Sequence, residues 1–189
     1  MDTFIEYVLQ FGNLNKQQID LIKSKATEIE LHKDEYYWEA GKAVKQIGFL
    51  TDGVLRVYYY NNKGEEITRY FIDEEHLILS GNNVDEFFIP SEYLQAITDC
   101  KMVVFSKQDW KDISETIIGW DSIVQKIITR HHTEKIKRRS DLISQDATAR
   151  YLDFIEKFPK LVNRIPLSYI ASYLGITASS LSRIRKNIR

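Results

Sequence analysis

Residues 165–188 read IPLSYIASYLGITASSLSRIRKNI, and this stretch decides the fold. Pro166 suits the first position of a helix, where a missing N–H costs nothing. Ile170 and Leu174 fall four apart, on one face of that helix. Ala171 lies four before Gly175, and Leu181 six after it. Thr177 is a capping residue for a second helix whose inner face carries Leu181 and Ile184. The pattern is a helix-turn-helix. A small residue at 171 lets the two helices approach, and Gly175 supplies the backbone freedom of the tight turn.

On the second helix Ser179, Ser180, Ser182, Arg183 and Lys186 point outward. An arginine reaches guanine O6 and N7 with two hydrogen bonds, worth about 1–3 kcal/mol of discrimination. Serine hydroxyls and N-terminal amides suit phosphates or base edges. Arg185, Lys186 and Arg189 add electrostatic anchoring to the backbone. Thr177, Ser179, Ser180, Ser182, Arg183, Arg185 and Lys186 are therefore the candidate DNA-contacting set. Charge agrees. The 189-residue chain has a net charge of −1, yet residues 1–129 hold 13 Lys and Arg against 22 Asp and Glu, and residues 130–189 hold 13 against 5. From 160 to 189 there are six bases and no acid. An acidic body with a basic end points to a polyanion as partner of that end, here double-stranded DNA.

Upstream, the first 26 residues read as helix, with Asn13 or Asn15 as a cap and Leu14, Ile19 and Ile22 on one side. From Thr27 the texture is β: TEIELH, VLRVYYYN, EITRYFI and QAITDCKMVVFS are rich in β-branched and aromatic residues. Asn61-Asn62-Lys63-Gly64 is a hairpin turn, and Gly41, Gly53 and Gly81 mark others. Short strands spaced by turns predict a sandwich or barrel. After Ser106 the period becomes helical. Ile113, Ile117, Trp120, Val124, Ile127 and His131 step by 4, 3, 4, 3, 4, the seam along which two helices pack. A helix over 117–145 would be about 43 Å long. Its stripe can cover the β-domain, pair with a second copy, or do both; Ile117, Trp120, Val124, Ile127 and His131 are the candidate dimer interface. Gly119 weakens helix propensity at its start. Asp146 is the N-cap of a further helix ending at Phe158-Pro159. The expected division is 1–145 and 146–189, with a hinge at 142–146.

The layout resembles the Crp/Fnr superfamily of bacterial transcription regulators over nearly the whole chain. The carrying residues are Gly41, Leu50 to Gly53 within FLTDGVLRVY, Gly64 after the hairpin, the long helix, and IASYLGITASSLSRIRK. The resemblance implies an α+β chain: an N-terminal cyclic-nucleotide-binding-like jelly roll, a long dimerisation helix, and a C-terminal winged-helix-like helix-turn-helix domain, acting as a homodimer. Two departures matter. Relatives that bind cyclic AMP carry Gly-Glu and, about ten residues on, Arg followed by Ser or Thr. Here Leu79-Ser80 and Pro90-Ser91 occupy those places. Proline brings neither the charge nor the donors that hold a cyclic phosphate, and Glu92 would repel it, so control by cyclic AMP is not expected. Many relatives also carry a Glu near the start of the recognition helix; Ser179 stands there, while Arg183 is kept. Residues 159–165 leave little room for a full wing.

Cys100, the only cysteine, excludes a disulfide, a four-cysteine zinc site and a cysteine-ligated iron–sulfur cluster; it reads as a buried strand residue, and no haem is expected. His131 and His132 point about 100° apart on a helix and suit a metal poorly. His32 and His76 lie far from each other in sequence. No nucleophile elbow or phosphate-binding loop is present, and no enzyme is expected. Tyr36, Tyr37, Trp38 and Tyr58 to Tyr60 read as packing residues of a sandwich, or as the lining of a pocket for an effector whose identity is open. With no apolar run of 18 residues and no basic leader in MDTFIEYVLQF, a cytoplasmic protein without membrane contact is expected, RNA polymerase being a further partner to consider. The alternative reading is a small-molecule-binding sensor whose C-terminal module contacts protein.

Overall fold

The structure is a computed structural model that describes residues 1–79, 89–139 and 146–188. Eight strands occur among them: β1 (Thr27–Leu31), β2 (Tyr36–Trp38), β3 (Gln46–Asp52), β4 (Leu55–Tyr60), β5 (Glu66–Ile72), β6 (His76–Ile78), β7 (Tyr93–Ala96) and β8 (Cys100–Ser106). They form two antiparallel four-stranded sheets, ordered β1-β8-β3-β6 and β2-β7-β4-β5. This is the expected jelly roll. The β4–β5 hairpin turns where its sequence demands. Asn61 Oδ1 accepts from the Lys63 and Glu65 amides at 2.8 and 3.0 Å, and Gly64 takes a φ of 76°. Between the sheets lie Leu50, Leu55, Val57, Leu94, Met102 and Val104. Tyr37 is packed against this core, and the Tyr36 and Tyr58 hydroxyls bond at 3.0 Å. Cys100 is buried at the start of β8.

Four helices pack on the first sheet's outer face: α1 (Asp2–Leu9), α2 (Lys16–Lys25), α3 (Lys107–Thr116) and α4 (Trp120–Arg139). Asn15 and Gln18 form a capping box at α2. Beneath the helices Phe4, Tyr7, Ile22, Ile47, Phe49, Phe105, Trp110 and Trp120 make a second core. Ile47 and Phe49 of β3 face this core while Leu50 faces the first. With both faces covered, β3 is an almost unbroken buried run rather than an alternating one.

Two expectations about the long helix are corrected. It does not start at 117: the Ile117 amide closes α3 on the Ile113 carbonyl at 2.9 Å. Gly119, at a φ of 87°, then turns the chain before α4. The second concerns the seam. Ile117, Trp120, Val124, Ile127 and His131 are all buried inside the chain, against α1 and the first sheet, so they are not a face left for a second copy. His131 stacks on His76 at 3.9 Å between ring centroids, and its Nε2 lies 2.7 Å from the Tyr7 hydroxyl. Burial pushes the Tyr7 pKa up to about 12, which keeps that hydroxyl protonated. Residues 140–145, and with them most of the expected hinge, lie outside the described residues.

The C-terminal part is helical: α5 (Ala147–Lys157), α6 (Leu167–Leu174) and α7 (Ala178–Asn187). Residues 159–165 run as turns, and no strand occurs among 146–188, so the short segment where a wing would lie forms no hairpin.

Candidate nucleic-acid interface

Three local devices set the geometry of α5 to α7. Asp146 caps α5, its Oδ1 accepting from the Thr148 and Ala149 amides at 2.8 and 2.9 Å. Gly175 ends α6 in the left-handed region, at φ 66° and ψ 35°. The Ile176 amide reaches back to the Ala171 carbonyl at 3.0 Å, the closure that lets a helix end abruptly. Arg150 Nη1 donates to the Leu174 carbonyl at 2.6 Å, tying α5 to the same turn. Thr177 then starts α7, its Oγ1 accepting from the Ser180 amide at 3.1 Å and donating to Ser180 Oγ at 2.9 Å. Leu181 is fully buried against Tyr151, Phe154, Ile170, Ala171 and Leu174. Ala171, itself buried, is the small residue at the crossing.

This anchoring decides which side of α7 meets solvent. Thr177, Ser179, Ser180, Arg183 and Lys186 are exposed, whereas Ser182 and Arg185 are half-buried. Ser179, Arg183 and Lys186 repeat at four and three residues, so they form one stripe along the helix. Thr177 and Ser180 flank its start, and Ser182 and Arg185 lie round the flank. The spacing in sequence predicted the helix; it did not distinguish the stripe from the flank, because that depends on how α7 leans on α6. Among the described residues no ion pair engages Arg183, Arg185 or Lys186. The stripe presents hydroxyls and helix N-terminal amides first and cations behind, the order that fits a recognition helix entering a major groove.

The β-domain has a separate feature. A cavity of about 480 Å³ opens between β5, β6 and α4 and reaches Phe158 and Tyr173 of the C-terminal part. Tyr70, His76, Leu79, Gln125 and Lys135 are among its walls, with the Lys135 ammonium 3.8 Å from the Tyr70 ring centroid. Of the cassette positions, Leu79 lines this cavity, Ser80 lies outside the described residues, and Ser91 is exposed. Pro90 is buried, its carbonyl accepting from the Gly41 amide at 2.9 Å. Arg69, one place before Tyr70, also lines the cavity and pairs with Glu92. Sequence reading missed that pair; its partners sit 23 residues apart on different segments, and no local pattern links them.

No protein-family model and no curated sequence matches the chain. Solved structures do match its fold. A c-di-GMP-responsive global regulator, CLP, from Xanthomonas campestris superposes with a TM-score of 0.72 at 12% identity, over 92% of this chain and 91% of its own. FixK2 from Bradyrhizobium japonicum gives 0.70 at 16%, over 86% and 84%. A Eubacterium rectale protein assigned to the Crp/Fnr family of transcriptional regulators gives 0.71 at 16%, over 92% and 83%. The fold of this chain is therefore Crp/Fnr-like, from the jelly roll through to the helix-turn-helix. No described helix is long and apolar enough to cross a membrane.

Proposed function

We propose that the protein is a sequence-reading DNA-binding transcription regulator of Crp/Fnr type and not an enzyme. The observation that carries this is the exposed stripe of Ser179, Arg183 and Lys186, on a helix fixed by the Thr177 cap, the Gly175 turn and buried Leu181. Arg183 reads a base edge, preferably guanine. The serines and the α7 N-terminal amides grip phosphate, and Lys186 neutralises it. Affinity for duplex DNA is then expected to fall steeply with added salt, because each neutralised phosphate releases a counterion. A titration from low to physiological salt tests it. Absence of duplex binding at low salt would favour the alternative, a ligand sensor built around the β5–β6–α4 cavity.

The regulator acts as a homodimer in this reading, through a different face of α4 from the one the Ile-rich seam predicts. Opposite the buried side, Ser122, Gln125, Thr129, His132 and Ile136 follow one another at 3, 4, 3 and 4 residues. All five are exposed, Ile136 at 69%. That spacing is again the one along which two helices pack; Gln125, Thr129 and His132 also border the cavity, so the pairing face and the cavity rim adjoin. Pairing through this face sets two recognition helices about 34 Å apart, one turn of DNA. Cyclic AMP does not control the protein in this reading, since buried Pro90 and acidic Glu92 replace the groups that hold a cyclic phosphate. Cyclic AMP at millimolar concentration is expected to leave the melting temperature unchanged; a saturable rise would contradict this.

A further inference from the structure

The edge of the jelly roll grips the first helix of the DNA-reading pair. Strand β5 lies at the end of its sheet, and an edge strand exposes unpaired N–H and C=O groups. Ser172 of α6 answers two of them: its hydroxyl donates to the Glu66 carbonyl and accepts from the Thr68 amide, each at 2.9 Å. One turn earlier, Tyr169 lies over the Arg56 guanidinium at 3.9 Å, and Tyr58 covers the other ring contact at 4.3 Å. Arg56 is 1% exposed. Thr68 Oγ1 accepts from its Nε at 2.8 Å and Glu66 from its Nη1 at 2.7 Å. A guanidinium so held is a fixed, charged platform, and its attraction to a ring strengthens as water is excluded. Tyr173 packs on Phe71 at 5.5 Å. In the turn before α6, Arg164 pairs with Glu74 at 2.6 Å, and Glu74 also accepts from the Gly53 amide at 3.1 Å.

All of these contacts use α6 or the turn before it, and none uses α7. The stripe of Ser179, Arg183 and Lys186 stays exposed while α6 is held. The clamp thus leaves the stripe open, and what it fixes is the orientation of the stripe relative to the jelly roll.

We propose that Arg56, held by Glu66 and Thr68, is a positioning residue for DNA recognition: with Ser172 it clamps α6 to the β5 edge, and the clamped arrangement is the DNA-competent one. The proposal rests on α7 being the DNA-reading helix. Its physical content is orientation. Each recognition helix is fixed relative to the jelly roll that carries α4, so in a dimer the separation of two recognition helices is set before DNA arrives. Two half-sites at a fixed spacing are then bound without the cost of ordering two loose units.

The test uses the full chain with Tyr169→Leu and Ser172→Ala, singly and together. Both lie on α6, away from the stripe, and Ser172→Ala, which loses one hydroxyl, covers the case in which the pair fails to fold. Two duplexes serve as probes: one with both half-sites enriched from random DNA by the wild type, and one with a single half-site. Weakening is expected to reach about tenfold on the paired site and to stay within about threefold on the single one, because only the paired site reads spacing. The Thr68 amide is expected to exchange with solvent faster in Ser172→Ala. A merely structural loss would weaken both duplexes alike. Paired-site affinity that is unchanged, or that rises as it would on release of an inhibitory contact, overturns the proposal. Should the wild type bind no duplex at all, the regulator reading fails and takes DNA competence with it. Unaltered Thr68 exchange in Ser172→Ala would then dispose of the clamp separately.

Discussion

Arg183 stands in the middle of the exposed stripe, between Ser179 and Lys186. If Arg183 reads a base edge as proposed, replacing it by alanine is expected to weaken specific binding by about 1–3 kcal/mol while binding to random duplex changes little. Fluorescence anisotropy on both duplexes checks this, and equal loss on the two would make Arg183 a phosphate contact instead. Two neighbours act on the scaffold. Gly175 sits at a φ of 66°, where a Cβ costs about 1–2 kcal/mol; Gly175→Ala is expected to lower unfolding stability by that amount in a denaturant titration. Thr177→Ala loses the α7 cap, about 1 kcal/mol. The Gly175 turn, the Thr177 cap and the outward position of Arg183 were legible in the sequence because each depends on residue type at a fixed local spacing. The half-burial of Ser182 and Arg185 was not, since it is set by packing between helices.

Among elements, legibility follows how local the signal is. Strands β1, β4, β5 and β8 announce themselves by β-branched and aromatic residues, and the β4–β5 turn by Asn and Gly. Strand β3 does not, because both its faces are buried and the alternation that marks a strand disappears. Strands β2 and β6 are three residues each, too short to carry a period. The helical seam from Ile113 to His131 was real as a buried stripe, but its sequence could not say what buries it. The answer lies in α1 and the first sheet, far away along the chain. Gly119 divides the stripe into two helices, at a position where periodicity alone sees continuity. Trp120, 1% exposed and 5.3 Å from the Trp110 ring, is accordingly a core residue. Trp120→Ala is expected to destabilise the fold by about 3–5 kcal/mol, as measured by denaturant unfolding. A variant of wild-type stability that is merely monomeric would restore the seam to an interface.

At the scale of the molecule, an acidic jelly roll carries a basic helix-turn-helix on the edge of one sheet, and the outer face of α4 stays exposed. Charge asymmetry between the two parts was visible in composition. The docking was not, because it depends on Ser172, Tyr169 and Arg164 meeting residues about a hundred positions earlier. If α4 pairs through its outer face, Thr129→Arg puts two like charges at the centre of the dimer and is expected to give monomers in sedimentation without loss of fold. An unchanged dimer would place the contact elsewhere. The account as a whole is tested most directly by selecting binding sites from random duplex DNA with the purified protein. It predicts enrichment of two inverted half-sites whose centres lie about one helical turn, roughly 10 base pairs, apart. A pool that stays random after repeated rounds at low salt would contradict it.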